Sequence, residues 1–390
     1  MSWFVDIGKD SVNKYSQELC GDNVEIRHSK DSIVVVLSDG LGSGVKANIL
    51  ATMTSTIAAT MLQESMPIFE VVETLEETLP ECQVRKLSYS TFTIVQIFPK
   101  TRRAYIFEYD NPPLVYIRDG EIIPLERKDL KFKDKHITEA TLLIEEGDVM
   151  GFFSDGVIHA GLGKILNFGW QWEDASDYLL ARTYDDQSKT AQDIAMQMVD
   201  TCNELYGGKP GDDTTVVVLK IEQHEYATLF SGPPFDRSKD QTIKAIFDEA
   251  KGIKIVCGGT ASNIISREYD EEIKIDLDTM SEKVPPIGRM PSIDLVTEGV
   301  ITIRETVNII SGYINKRYTR AIFKENNAAS ILANTLVNEC THITMILGNS
   351  INPVHQNPDF PDAINSKWRI TQKLIELLRT LNKSIEIIYI

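Results

Sequence analysis

The sequence predicts an α+β chain in two parts: a strand-rich segment with a few helices over residues 1–222, then a smaller α/β domain over 241–390. Three observations carry this. Strands in the first part follow one another at spacings too short for helical crossovers, which implies antiparallel pairing. Residues 223–240 break the pattern, and their Gly232-Pro233-Pro234 suits a linker. Beyond them the rhythm becomes helix–strand–helix, as in a mostly parallel sheet. At 390 residues the chain also exceeds what one hydrophobic core usually serves.

In the first part, Ser32 to Leu37 (SIVVVL) is a short, continuously apolar strand ending on Ser38-Asp39-Gly40. The run LGSGVKANILATMTSTIAATMLQ then places Ala, Leu, Met and Ile at helical spacing. A second helix, IFEVVETLEETL, follows Pro67, a residue tolerated at a helix start because its missing N–H has no partner there anyway. Four β segments come next: STFTIVQIF, RAYIFEYD, PLVYIRDGEIIPL and ATLLIEEGDVMGFFSD. Asp119-Gly120 is a two-residue hairpin turn of the strongest kind. A helix near Thr190 to Leu205 precedes the strand TTVVVLKI. The second part reads as helix TIKAIFDEAKG, strand IKIVCGG, helix TASNIISREY, strand IKIDL, two further helices, strand ITMILG, helix KWRITQKLIELLRTLN and strand SIEIIYI.

Composition excludes several classes. The net charge of −17 repels a phosphate backbone, so no nucleic-acid partner is expected. No stretch reaches the roughly 18 apolar residues that span a bilayer, and the start shows no basic segment leading into an apolar one. Five scattered cysteines without a CxxC pair fit reduced thiols, so a cytoplasmic location without membrane contact is expected.

The chemistry lies in aspartates. Asp39 and Asp155 each end an apolar strand and precede glycine, in VVVLSDG and VMGFFSDG. Asp212 and Asp213 precede a strand in GKPGDDTTVVVL, and Asp22 follows Cys20-Gly21. A single Asp-Gly is usually a turn or a cap. Several carboxylates at strand ends, however, repel one another unless a cation fills the gap, and hard oxygen ligands select Mg²⁺ or Mn²⁺.

DGLGSGVKANILA, SDGV and GDDTTVVVLKI, in that order, make residues 1–222 resemble the PPM (type 2C) metal-dependent protein phosphatases, and within them the bacterial branch similar to stage II sporulation protein E. The resemblance implies an antiparallel β-sandwich flanked by helices with a two-metal cleft at one end. It implies that Asp39 bridges two Mn²⁺ or Mg²⁺ ions and that the Gly40 carbonyl binds one of them. Asp155 and Asp212 would hold the other, Asp22 would act through water, and Asp213 would support from behind. The implied substrate is a phosphoserine or phosphothreonine protein, such as an anti-sigma-antagonist-like protein. The implied reaction is hydrolysis by a metal-activated hydroxide, with Asp39, Asp155 and Asp212 as the catalytic set.

The chain departs from the family in places. Leu41 stands where many members outside this branch carry histidine, which leaves the leaving-group acid unassigned. Asp110-Asn111-Pro112-Pro113 replaces Gly-His-Pro-Pro, and Ile158-His159 follows SDGV where an acid is common. The helices over Val45 to Leu79 correspond to a regulatory switch in the sporulation branch, or are a plain packed pair.

The second part resembles no family. Gly258-Gly259-Thr260-Ala261-Ser262-Asn263 joins a strand to a helix and suits either a small anionic ligand or a tight capped turn. Asn349, His355 and Asp359 in the proline-rich segment, together with Glu298-Gly299, are further pocket candidates. A regulatory or ligand-sensing domain is expected. The alternatives are a phosphatase fold kept as a scaffold and a second part with its own small-molecule chemistry.

Overall fold

The computed structural model describes residues 3–78, 90–132, 135–186, 188–348 and 361–390, with backbone only for 132, 135 and 361–366. Asn349, His355 and Asp359 lie outside the described residues. The chain divides into two compact units, Met1–Gln223 and His224–Ile390.

Two antiparallel sheets build the first unit. One has the order β1 (Phe4–Val12), β11 (Thr214–Glu222), β10 (Val149–Phe153), β6 (Val115–Arg118), β7 (Glu121–Ile122). The other runs β2 (Asp22–His28), β3 (Ile33–Gly40), β4 (Ser90–Phe98), β5 (Arg103–Tyr109), β9 (Lys135–Leu143), β8 (Lys128–Phe132). Alternation along β3 explains its unbroken apolar run. Val35 and Leu37 face the other sheet and meet Met150, Phe152, Val217 and Leu219. Val34 and Val36 face outward against Ala58, Ala59 and Leu62 of α1 (Gly44–Gln63) and Val71, Val72 and Leu75 of α2 (Ile68–Thr78). Both faces are buried, so both parities are apolar. On the outer side of the first sheet, Val216 and Val218 pack with α4 (Trp172–Tyr184) and α5 (Ala191–Leu205), while the short α3 (Asp155–Ile158) follows β10.

Local chemistry fixes the joints. Asp119 and Gly120 sit at φ 51° and 82°, both left-handed as a tight hairpin turn demands. Thr190 caps α5, its hydroxyl accepting from the Asp193 amide while the Asp193 carboxylate accepts from the Thr190 amide.

The second unit holds a seven-stranded sheet in the order β14 (Lys274–Asp276), β15 (Ile287–Met290), β16 (Ile293–Thr297), β13 (Ile253–Cys257), β12 (Tyr226–Ser231), β17 (His342–Leu347), β18 (Ser384–Tyr389). The five strands from β16 to β18 are parallel, and β14 and β15 add an antiparallel edge. The helices are α6 (Asp240–Glu249), α7 (Gly259–Tyr269), α8 (Val300–Ile314), α9 (Ala328–Asn338) and α10 (Pro361–Thr380). One expectation is corrected here. Residues 223–240 are not a plain linker, because Tyr226–Ser231 is the interior strand β12, with parallel partners on both sides. Gly232-Pro233-Pro234 ends that strand, and the apolar run Ala227–Phe230 is buried.

A buried ion pair braces the first unit. Asp148, 1% exposed, accepts from Arg118 Nε and Nη2 at 2.7 Å each, from the Tyr116 hydroxyl at 2.9 Å and from the Glu145 amide at 2.7 Å. Removing one partner strands a buried charge, so Arg118→Met is expected to lower stability by about 3 kcal/mol. Urea unfolding of wild type and variant reads this directly, and equal midpoints would show the pair to be idle.

Candidate metal centre

The inter-sheet core brings one rim of both sheets together, and the aspartates stand on that rim. From the second sheet, Asp22 opens β2 and is the antiparallel partner of Asp39 near the end of β3. From the first sheet, β10 runs into Asp155, the first residue of α3, and Asp212-Asp213 leads into β11. The Ser154 amide donates to the Thr215 carbonyl at 3.0 Å, and the Thr215 amide donates to Ser154 Oγ at 3.0 Å. These bonds fix the end of β10 beside the start of β11.

The glycines after Asp39 and Asp155 have a steric reason. A Cβ on Gly40 would stand 2.1 Å from the Ala47 carbonyl oxygen, so α1 lies directly on the backbone at that point. A Cβ on Gly156 would stand 2.1 Å from the Asp213 carbonyl oxygen. Any side chain there would push two rim segments apart.

The carboxylates are unequal. Asp22 is 5% exposed, and neither of its oxygens has a hydrogen-bond partner. Burial pushes its pKa up to about 7, and the charges of Asp213 and Asp155 add to this. The Ser154 and Thr215 hydroxyls, close by without closing a good hydrogen bond, pull the other way. Asp39 is pushed up to about 9, first by burial, then by the charges of Asp22, Asp155, Asp212 and Asp213. Asp155 is also raised, by burial and by Asp212, against the opposing influence of His159, the Gly156 amide and Lys14. Among the described residues, no three Asp, Glu, His or Cys side chains stand close enough to hold a metal ion as placed. The donor set nonetheless fits one. It offers hard oxygens, a mutual repulsion reaching all five carboxylates, and two buried oxygens on Asp22 without a partner.

Lys14 belongs to this rim and escaped sequence reasoning. Its amide donates to Asp213 Oδ1 at 2.9 Å, and its Nζ stands 3.4 Å from Asp212 Oδ1. Asp213, 4% exposed, is therefore tied to the backbone, while the Asp212 side chain stays 42% exposed. Tyr206 was also unforeseen, and its hydroxyl donates to the Gly156 carbonyl at 2.7 Å. His159 is exposed at the end of α3. The Asp110–Pro113 loop is structural, since Asn111 bonds Thr91 and Thr93 and the Pro113 carbonyl accepts from Trp172 Nε1 at 2.7 Å.

Asp22 and Asp39 bind their protons more tightly folded than unfolded. The stability each contributes is complete below the unfolded carboxylate value near 4 and is lost as pH rises, through about 7 for Asp22 and about 9 for Asp39. Without divalent cations, the melting temperature of the first unit is expected to fall across that range. Asp39→Asn should raise it at alkaline pH by relieving repulsion. Thermal unfolding in EDTA checks both, and a melting temperature that climbs with pH would contradict the described crowding.

Among the described residues, no helix is long and apolar enough to cross a membrane. The family model for stage II sporulation protein E (SpoIIE) matches residues 29–222. The search of curated proteins finds no match. Among solved structures, the phosphatase domain of the cell fate determinant SpoIIE from Bacillus subtilis is 18% identical, with TM-score 0.44, over 57% of this chain and 94% of that one. The RsbU and RsbW domains of a Mycobacterium tuberculosis protein are 14% identical, with TM-score 0.50, over 64% of this chain and 68% of that one. The catalytic domain of the serine/threonine phosphatase PstP, described with two manganese ions, is 14% identical, with TM-score 0.39, over 57% of this chain and all of that one. With its two helix-flanked antiparallel sheets and its match over residues 29–222, the amino-terminal unit belongs to the SpoIIE family of PP2C-type protein phosphatases.

Proposed function

We propose that the first unit is a metal-dependent phosphatase acting on phosphoserine or phosphothreonine in proteins. The observation that carries the reading is the rim itself, where five carboxylates act on one another and Asp22 buries two oxygens without a partner. In this reading Asp39, the Gly40 carbonyl, Asp155 and Asp212 hold two Mn²⁺ or Mg²⁺ ions. Asp22 acts through water, and Asp213, held by the Lys14 amide, keeps the ligand loop in place. When bound, such ions lower the pKa of water toward neutrality and neutralise phosphoryl oxygens.

The chain's own groups do the rest. The Lys14 ammonium beside Asp212 supplies positive charge that draws a phosphoryl oxygen to the rim. Asp39, pushed up to about 9 by burial and its neighbours' charges, gives up its proton as cations enter. A protein serves as substrate, and an anti-sigma-antagonist-like protein is the first to test, on the strength of the family alone. The second unit is assigned a regulatory role.

With the full chain, Mn²⁺-dependent hydrolysis of phosphoserine peptides is expected, and Asp155→Asn should reduce it about a hundredfold or more. Undiminished turnover in that variant would remove Asp155 from the ligand set. Comparing the full chain with residues 1–223 tests the regulatory role, which identical rates would refute.

A further inference from the structure

The parallel strands of the second unit stand in the order β16, β13, β12, β17, β18, and the direction of winding reverses between β12 and β17. From β12 the chain passes through α6 to β13 on one side, and from β17 it passes through α10 to β18 on the other. In open α/β sheets the space outside the carboxyl ends of the strands at such a reversal is where ligands are held.

The residues at those ends are in register: Ser231 with Cys257 and with Leu347, and Cys257 with Thr297. Phe230, Val256 and Val296 turn to the face packed by Phe247 and Ile264. The alternation of strands therefore puts Ser231, Cys257 and Thr297 together on the opposite face. The Thr297 hydroxyl, 3.3 Å from Cys257 Sγ, agrees with this. Ser231 is 2% exposed, yet its Oγ has no hydrogen-bond partner.

A cation lies over the same spot. The Nζ of Lys367, from α10, stands 2.8 Å from where a Cβ on Gly232 would be, one residue beyond Ser231. Burial pulls the Lys367 pKa down, and the groups whose charge reaches it are Cys257 and Glu298. Glu298 is engaged elsewhere, its Oε2 accepting from the Ile301 amide at 3.1 Å. Next to this pair, α7 begins directly after β13 without a side-chain cap, and a Cβ on Gly259 would meet nothing within 4 Å. The first amides of this eleven-residue helix therefore have no side-chain cap. A desolvated ammonium and an unsatisfied buried hydroxyl both cost free energy, and an anion between them relieves both.

We propose that Lys367, Ser231 and the opening amides of α7 form a binding site for the phosphate group of a small phosphorylated ligand. The hydroxyl and the ammonium donate to phosphate oxygens, and the helix start adds amide donors. This site is independent of the phosphatase reading of the first unit.

The test is calorimetric titration of the full chain in EDTA, which keeps divalent ions from the aspartates, with inorganic phosphate, adenosine 5′-monophosphate and adenosine. Saturable binding of the phosphate-bearing probes but not of adenosine is expected. Lys367→Gln should weaken it about tenfold or more, and Asp39→Asn should leave it unchanged. Ser231→Ala should weaken binding severalfold while leaving the melting temperature of the unliganded protein the same or higher, because the hydroxyl has no partner to lose. No saturable binding of either phosphate probe at millimolar concentration, or wild-type affinity in Lys367→Gln, would overturn the proposal. So would loss of binding in Asp39→Asn, which would move the anion to the first unit.

Discussion

Everything at the rim of the first unit depends on the contact between its two sheets. Val35 and Leu37 from one sheet and Met150, Phe152, Val217 and Leu219 from the other are almost wholly buried against each other. That packing fixes where β3 and β10 end and where β11 begins, and so where Asp39, Asp155 and Asp213 must stand. Carboxylates free to move would drift apart in water. Here apolar burial holds like charges together, and the carboxyl groups answer by holding on to protons.

Much of this was legible in the sequence because burial on both faces of a strand leaves a continuous apolar run. SIVVVL announced β3 and hence the position of Asp39. Asp119-Gly120 was readable because short-range backbone chemistry decides it. Other features were hidden for physical reasons. β1 carries Asp6 and Gly8, which look like turn residues. In fact Asp6 Oδ2 accepts from the Ala191 amide at 2.6 Å, and Gly8 lets α5 lie on the strand. Lys14 meets Asp212 and Asp213 across nearly 200 residues, one of its two contacts through its backbone amide, which leaves no trace in residue type. β12 was mistaken for linker because the Gly-Pro-Pro that stops it is louder than the six residues before it.

The two units use the edge of a sheet in opposite electrostatic senses. In the first, carboxylates crowd the rim and Lys14 is the cation set among them. In the second, the carboxyl ends of the parallel strands present small side chains and glycines beneath Lys367. Both rims rely on glycine for close backbone approach, and both concentrate partly desolvated charge where strands stop and the core no longer needs apolar residues.

The pairing of β1 with β11 has a consequence for the chain as it is made. In its sheet β1 has one neighbour, and that neighbour is the last strand of the unit, joining Phe4 to Glu222. An amino-terminal strand emerging from the ribosome must therefore wait for some two hundred residues before its ladder can close, and long-range closure of this kind is slow. Asp22 and Asp39 can pair early through β2 and β3, but Asp212 and Asp213 arrive only with that final strand. The full set of acidic groups can therefore come together only once β11 has been made, and a nascent chain that stops short of it lacks Asp212 and Asp213.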